Sequence, residues 1–187
     1  LIGWIPPHND IEWARVFALY QATPEYRQIN AGMSLAEFQS IFWWEYIHRV
    51  WGRLIGIVYA APLAYFWLKG WIVGPLRGRL LLLLALGGLQ GVIGWWMVKS
   101  GLVNRPDVSH YRLAVHLGMA FLIAGLLVWT ALDLIARPMK RAAHGLRRHG
   151  QWALAAVSLV VVLGAFVAGT NAGLIYNEFP YMGGRLI

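Results

Sequence analysis

Hydrophobic positions run through this chain in four blocks, each long enough to cross a bilayer, which takes about 20 residues at 1.5 Å apiece. The blocks fall at about Tyr46–Leu68, Leu80–Val98, Tyr111–Ile135 and Trp152–Tyr176. Residues 1–44 read differently. They hold Pro6-Pro7, the acids Asp10, Glu12, Glu25 and Glu37, and only Arg15 and Arg27 as bases. Within them Ser34-Leu-Ala-Glu37 has the form of a capping box, which opens a short helix leading into the first apolar block. The pattern predicts an all-α polytopic membrane protein: an extramembrane arm with short helices over 1–44, then a four-helix transmembrane bundle over 45–187.

Composition sharpens this picture. Of the 187 residues 59% are hydrophobic and 13% charged, far from the balance of a soluble domain. The absence of Cys removes disulfides, thiolate metal sites, Cys nucleophiles and c-type haem attachment together. A net charge of +8 would raise nucleic acid in a soluble protein. Here the cations lie between apolar blocks, so membrane topology accounts for them and no nucleic-acid partner is expected. Arg137, Lys140, Arg141, Arg147 and Arg148 crowd the third inter-block loop, and Lys69, Arg77 and Arg79 the first. The positive-inside rule puts both loops on the cytoplasmic or matrix side. The arm, the middle loop and the tail then face the other side, and the first and third helices run in the same direction. No signal-peptide pattern and no internal repeat is visible.

The candidate chemistry comes from side chains that do not belong in lipid, each costing about 2.5–3.5 kcal/mol at the bilayer centre on insertion scales. They gather at the outer ends of the first and third blocks, in Glu45-Tyr-Ile-His48-Arg49-Val-Trp-Gly52-Arg53 and His110-Tyr-Arg112-Leu-Ala-Val-His116-Leu-Gly118. Helical spacing puts Glu45, His48, Arg49 and Gly52 on one stripe, and Arg112 with His116 on another. Two imidazoles at similar depth on parallel helices suit axial ligation of one haem iron, with Arg49, Arg53 and Arg112 available to the propionates. Gly52, Gly56, Gly87, Gly88, Gly91 and Gly94 would let a flat ring or a neighbouring helix come close.

Plainer readings stand beside these. His48 and His116 can be interfacial histidines bonded to a neighbouring helix. Glu45 can simply pair with Arg49, the arginines can snorkel, and the glycines can serve ordinary helix packing. His110 lies about 240° round the helix from His116, so the two cannot share an iron. Gln90 suits a bond to another helix, and Trp95-Trp96 an aromatic belt. The polar run from Thr170 to Glu178 either caps the last helix or serves something outside the chain. A haem-modifying oxidoreductase, a bis-His membrane cytochrome that only passes electrons, and a bundle that binds nothing are all compatible with the histidine spacing. Glu45 favours the first, because electron transfer alone needs no carboxylate on the ligand face.

The same residues resemble the heme A synthase family in its mitochondrial and related bacterial form. The resemblance is carried by Glu45-Tyr-Ile-His48-Arg49-Val-Trp-Gly-Arg53, which fits the family's Glu-x-x-His-Arg signature, and by Gln90-Gly-Val-Ile-Gly-Trp-Trp-Met-Val-Lys-Ser-Gly101. Val108-Ser-His-Tyr-Arg-Leu-Ala-Val-His116-Leu-Gly118 and Ala172-Gly-Leu-Ile-Tyr-Asn-Glu-Phe-Pro180-Tyr-Met-Gly-Gly184 continue it. It implies an eight-helix, two-half architecture of which this chain would hold helices two to five, as a fragment. It also implies an integral protein of the bacterial or mitochondrial inner membrane, with the arm on the periplasmic or intermembrane side. The implied reaction is the oxygen-dependent oxidation of the C8 methyl of haem O to the formyl of haem A during cytochrome oxidase assembly. Haem O and haem A would sit at His48 and His116, Glu45 would be the catalytic carboxylate, and a haem b would belong to the absent half. Implied partners are an electron donor, the haem O synthase, cytochrome oxidase assembly factors and a second copy of the chain.

Overall fold

The computed structural model describes residues 4–101, 107–135, 144–175, 178 and 181–186. Its helices are α1 (Asp10–Gln21), α2 (Pro24–Gln28), α3 (Leu35–Leu68), α4 (Pro75–Gly101), α5 (His110–Ile135), α6 (His144–Gly169) and α7 (Ala172–Ile175). A two-stranded antiparallel ribbon, β1 (Tyr181–Met182) with β2 (Arg185–Leu186), closes the described chain. Helices α3 to α6 are each long and apolar enough to span a membrane, and only 6% of the most apolar window of each is buried. Side chains such as Val58, Val160 and Leu154 stand about 70% exposed. That much uncovered aliphatic surface is stable only with lipid as the solvent, so the chain is an integral membrane protein.

The residues divide into two compact units, Leu1–Gly91 with Val98–Asp107, and Val92–Met97 with Val108–Ile187. In the first unit the expected capping box is present: Ser34 Oγ accepts from Glu37 N–H, and Glu37 Oε2 accepts from Ser34 N–H at 2.8 Å. The helix it opens does not stop short of the membrane. It continues unbroken to Leu68, because nothing between Phe38 and Tyr46 breaks a helix. Its far end is a Schellman motif, with Gly70 N–H on Trp67 C=O and Trp71 N–H on Phe66 C=O, both at 3.0 Å. Gly70 sits at φ +69°, where a Cβ would be strained. Tyr59 then reaches α4 by donating to Leu80 C=O at 3.0 Å.

The arm packs on the first turns of α3 through an aromatic cluster of Trp13, Tyr20, Phe38 and Phe42, supported by Phe17 and Tyr26. Asn9 caps α1 and Thr23 caps α2. Beside the cluster, half-buried Glu25 accepts from Tyr20 Oη at 3.1 Å. Burial pushes the Glu25 carboxyl above its ordinary value, and the Tyr20 bond only partly offsets this. A raised acid pKa means that the folded arm holds a proton the unfolded arm has released. This contribution to stability is therefore complete below the ordinary glutamate range and is lost as pH rises through the folded value. Glu25→Gln is expected to flatten the pH dependence of arm stability above the ordinary glutamate range. Hydrogen exchange across α1 and α2 reads this, and an unchanged pH profile in the variant would refute it.

In the second unit α5 and α6 pack antiparallel. Gly169 lies so close to the start of α5 that a Cβ there would sit 2.8 Å from His110 Cα. The last long helix starts and stops earlier than the apolar pattern suggests. His144–Gln151 join it as two exposed polar turns, and Asn171 at φ +53° interrupts it just after Gly169. Asn is one of the few residues that enters this region cheaply. Thr170 completes the stop by donating Oγ1 to Phe166 C=O at 2.7 Å. Arg137, Lys140, Arg141, Tyr176 and Asn177 lie outside the described residues.

Candidate functional site

Helix α3 carries Glu45, His48, Arg49 and Arg53 over about two turns, entering directly from the arm. Arg49 Nη1 donates to Glu45 Oε2 at 3.2 Å, an i,i+4 ion pair. The pair is asymmetric, with the Glu45 side chain 50% exposed and that of Arg49 29%. Nε and Nη2 of Arg49 are buried with no hydrogen-bond partner among the described residues. An unsatisfied buried guanidinium nitrogen costs more than a neutral donor, and Arg49 carries two of them among the described residues. His48, one turn beyond Glu45, presents its ring at the exposed surface of the helix.

Arg53 takes a partner that spacing along the helix does not foretell. Its guanidinium lies 4.3 Å from the centre of the Trp4 ring, a cation–π contact worth about 0.5–2 kcal/mol. Tyr46 Oη donates to Trp4 C=O at 3.1 Å. The start of the arm is thus tied to α3 at two points, one within the span of the Glu45–Arg49 pair and one a turn beyond it. Trp4 and Tyr46 escape a sequence reading because contacts across some forty residues leave no periodic signal.

Arg112 and His116 belong to the second unit. Arg112 Nη1 donates to Trp96 C=O at 2.7 Å while its guanidinium covers the Trp96 ring at 4.4 Å. The accepting carbonyl lies in the last turns of α4, where the helix dipole favours a cation. One turn deeper on α5, the His116 ring lies against Gly94 of α4. His110, on another side of α5, instead meets Gly169 and the Phe166 ring of α6. The sequence-identified residues thus form two groups, each held within its own unit: Glu45, His48, Arg49 and Arg53 on α3, and Arg112 with His116 on α5.

Four lipid-exposed helices, of which α3 carries Glu45, His48, Arg49 and Arg53 and α5 carries Arg112 and His116, define a polytopic α-helical membrane protein. The chain belongs to the cytochrome oxidase assembly protein family, which it matches over residues 1–187. It is 51% identical over 186 residues to the heme A synthase of Rhodospirillum centenum, covering 98% of this chain and 50% of that protein. It is 52% identical over 191 residues to the heme A synthase of Paramagnetospirillum magneticum, covering 99% and 54%. With that of Brucella ovis it shares 50% identity over 185 residues, covering 99% and 52%. The chain therefore spans about half the length of the curated relatives it matches. No solved structure gives a significant match.

Proposed function

We propose that this chain forms the haem O site of a heme A synthase, where the C8 methyl of the substrate is oxidised to a formyl group. The observation that carries the reading is Arg49: a half-buried guanidinium with two buried nitrogens that have no hydrogen-bond partner among the described residues, beside a carboxylate and one residue from an exposed histidine. Haem presents what such a face lacks, namely carboxylates for the cations, a flat apolar ring for the helix surface, and an iron for the imidazole. The donor set is chemically apt, since neutral imidazole is a common axial ligand of haem iron.

In this reading His48 and His116 ligate the substrate iron, and the haem itself supplies the redox chemistry. Arg49 meets a propionate directly. Arg53 and Arg112 are further propionate partners, because a guanidinium carries five N–H donors and a charged carboxylate outbids an aromatic ring or a neutral carbonyl. Oxidation of a methyl group with O2 and an electron donor takes up protons as oxygen is reduced to water, and Glu45 is the carboxylate that moves them. Lys69, Arg77, Arg147 and Arg148 mark the inner side of the membrane, which leaves the arm on the outer side. An electron donor and the haem O synthase are the partners that the reaction calls for.

Glu45→Gln in the full-length protein is expected to keep the haem absorption spectrum and to lower conversion of haem O to haem A by about 10²-fold, the low end for a positioned acid–base group. Product analysis by extraction and chromatography measures this. Full conversion in the variant would leave Glu45 as a helix-end partner of Arg49. Absence of conversion by the unmutated protein would overturn the function.

A further inference from the structure

We propose that Gly94 is a positioning residue for the His116 imidazole: its missing side chain is the space in which the ring is held. The inference rests on the reading of His116 as a haem ligand and assigns a new role to a residue of α4. A Cβ built at Gly94 would lie 2.9 Å from His116 Cε1, 3.5 Å from Nδ1 and 3.6 Å from Nε2. The ring therefore sits edge-on to the α4 backbone, with both nitrogens flanking the carbon that comes closest. Gly87, Gly88 and Gly91, which share the ladder with Gly94, meet nothing within 4 Å. General helix packing accounts poorly for a close approach confined to one glycine and one imidazole.

Two features convert this contact into a device that fixes a ring. Arg112, one turn from His116, bonds Trp96 C=O at 2.7 Å and covers the Trp96 ring, so the two helices are clamped next to the contact. The atoms that crowd position 94 are also the far end of a side chain rather than backbone. At Gly169, by contrast, a Cβ would strike His110 Cα and force the helices apart. At Gly94 the least costly relief is rotation of the His116 ring, which has to withdraw by about half an ångström to regain ordinary contact. That is the tolerance within which a ligating constellation has to be held. Helix propensity works in the opposite direction, because Gly→Ala in a helix interior favours the helix. Weaker haem binding in Gly94→Ala would thus come with no loss of helix stability.

The test uses the full-length protein purified with bound haem and compares the unmutated form with Gly94→Ala, Gly91→Ala and His116→Ala. Visible absorption and electron paramagnetic resonance report the axial ligands, haem retention through gel filtration reports affinity, and thermal unfolding reports the fold. Gly94→Ala is expected to shift the low-spin bis-imidazole signature and to weaken retention by about tenfold or more, the scale of an interaction that orients a ligand, with no drop in unfolding temperature. Gly91→Ala is expected to match the unmutated protein. An unchanged signature in Gly94→Ala, or an equal change in Gly91→Ala, overturns the inference while a His116→Ala variant that loses its haem leaves the ligand reading standing. A His116→Ala variant with unaltered spectra overturns the ligand reading itself. Should Gly94→Ala fail to fold, the double variant with His116→Gly decides the matter: recovery of folding assigns the clash to the ring, and continued failure overturns the proposal.

Discussion

Alanine in place of His48 or of His116 is expected to abolish the low-spin haem spectrum of the full-length protein at this site. Each imidazole would supply one of two axial bonds. Groups that merely orient a ligand are worth about 10–100-fold in metal affinity, so loss of a ligand itself should exceed that. The remaining single bond and the contacts of Arg49 would leave a weakly held, high-spin haem or none. His110→Ala is the natural comparison, since that ring lies against Phe166 and Gly169 of α6 and is expected to leave the spectrum alone. Reduced-minus-oxidised difference spectra resolve the outcomes. Intact low-spin bands in both His48→Ala and His116→Ala would refute the ligand assignment.

Phe38→Ala is expected to release the arm from α3. Phe38 is the most deeply buried large side chain described, 1% exposed. Its ring lies 4.9 Å from that of Tyr20, 5.1 Å from Phe17, 6.2 Å from Phe42 and 6.5 Å from Trp13. Truncating a buried Phe costs about 3–5 kcal/mol in lost transfer energy and cavity formation, and four aromatic neighbours lose their edge and tilted contacts as well. Hydrogen exchange and limited proteolysis across α1 and α2 should show loss of protection, while Trp44→Ala, at a site 75% exposed, should show none. Protection retained in Phe38→Ala would mean that the ties of Trp4 to Tyr46 and Arg53 are sufficient by themselves.

Much of this architecture was legible because its signals are local. A run of some twenty apolar residues names a spanning helix whatever its neighbours do. The Ser34–Glu37 box works through residues three apart, and the Glu45–Arg49 pair through residues four apart. The misjudged boundaries have equally physical causes. The first spanning helix extends back to Leu35 because polar residues between two helical stretches do not break a helix. The last ends at Gly169 because a single Asn171 in a left-handed conformation outweighs the apolar residues that follow.

The candidate site divides along the same line. The stripes Glu45, His48, Arg49 and Arg112, His116 follow from 3.6 residues per turn. That two nitrogens of Arg49 are buried without partners among the described residues, that Arg53 lies on Trp4, and that among the described residues Gly94 alone in its ladder meets an imidazole do not follow from any spacing. By itself the sequence determined that the chain holds four membrane-spanning helices and an acidic arm, and which helix faces carry its ionisable side chains, since hydropathy and helical period act within one segment. Only the tertiary structure decided which guanidinium nitrogens of Arg49 are buried without partners among the described residues and which glycine of α4 lies against a histidine ring. Those outcomes depend on how atoms far apart in the chain exclude one another when helices pack.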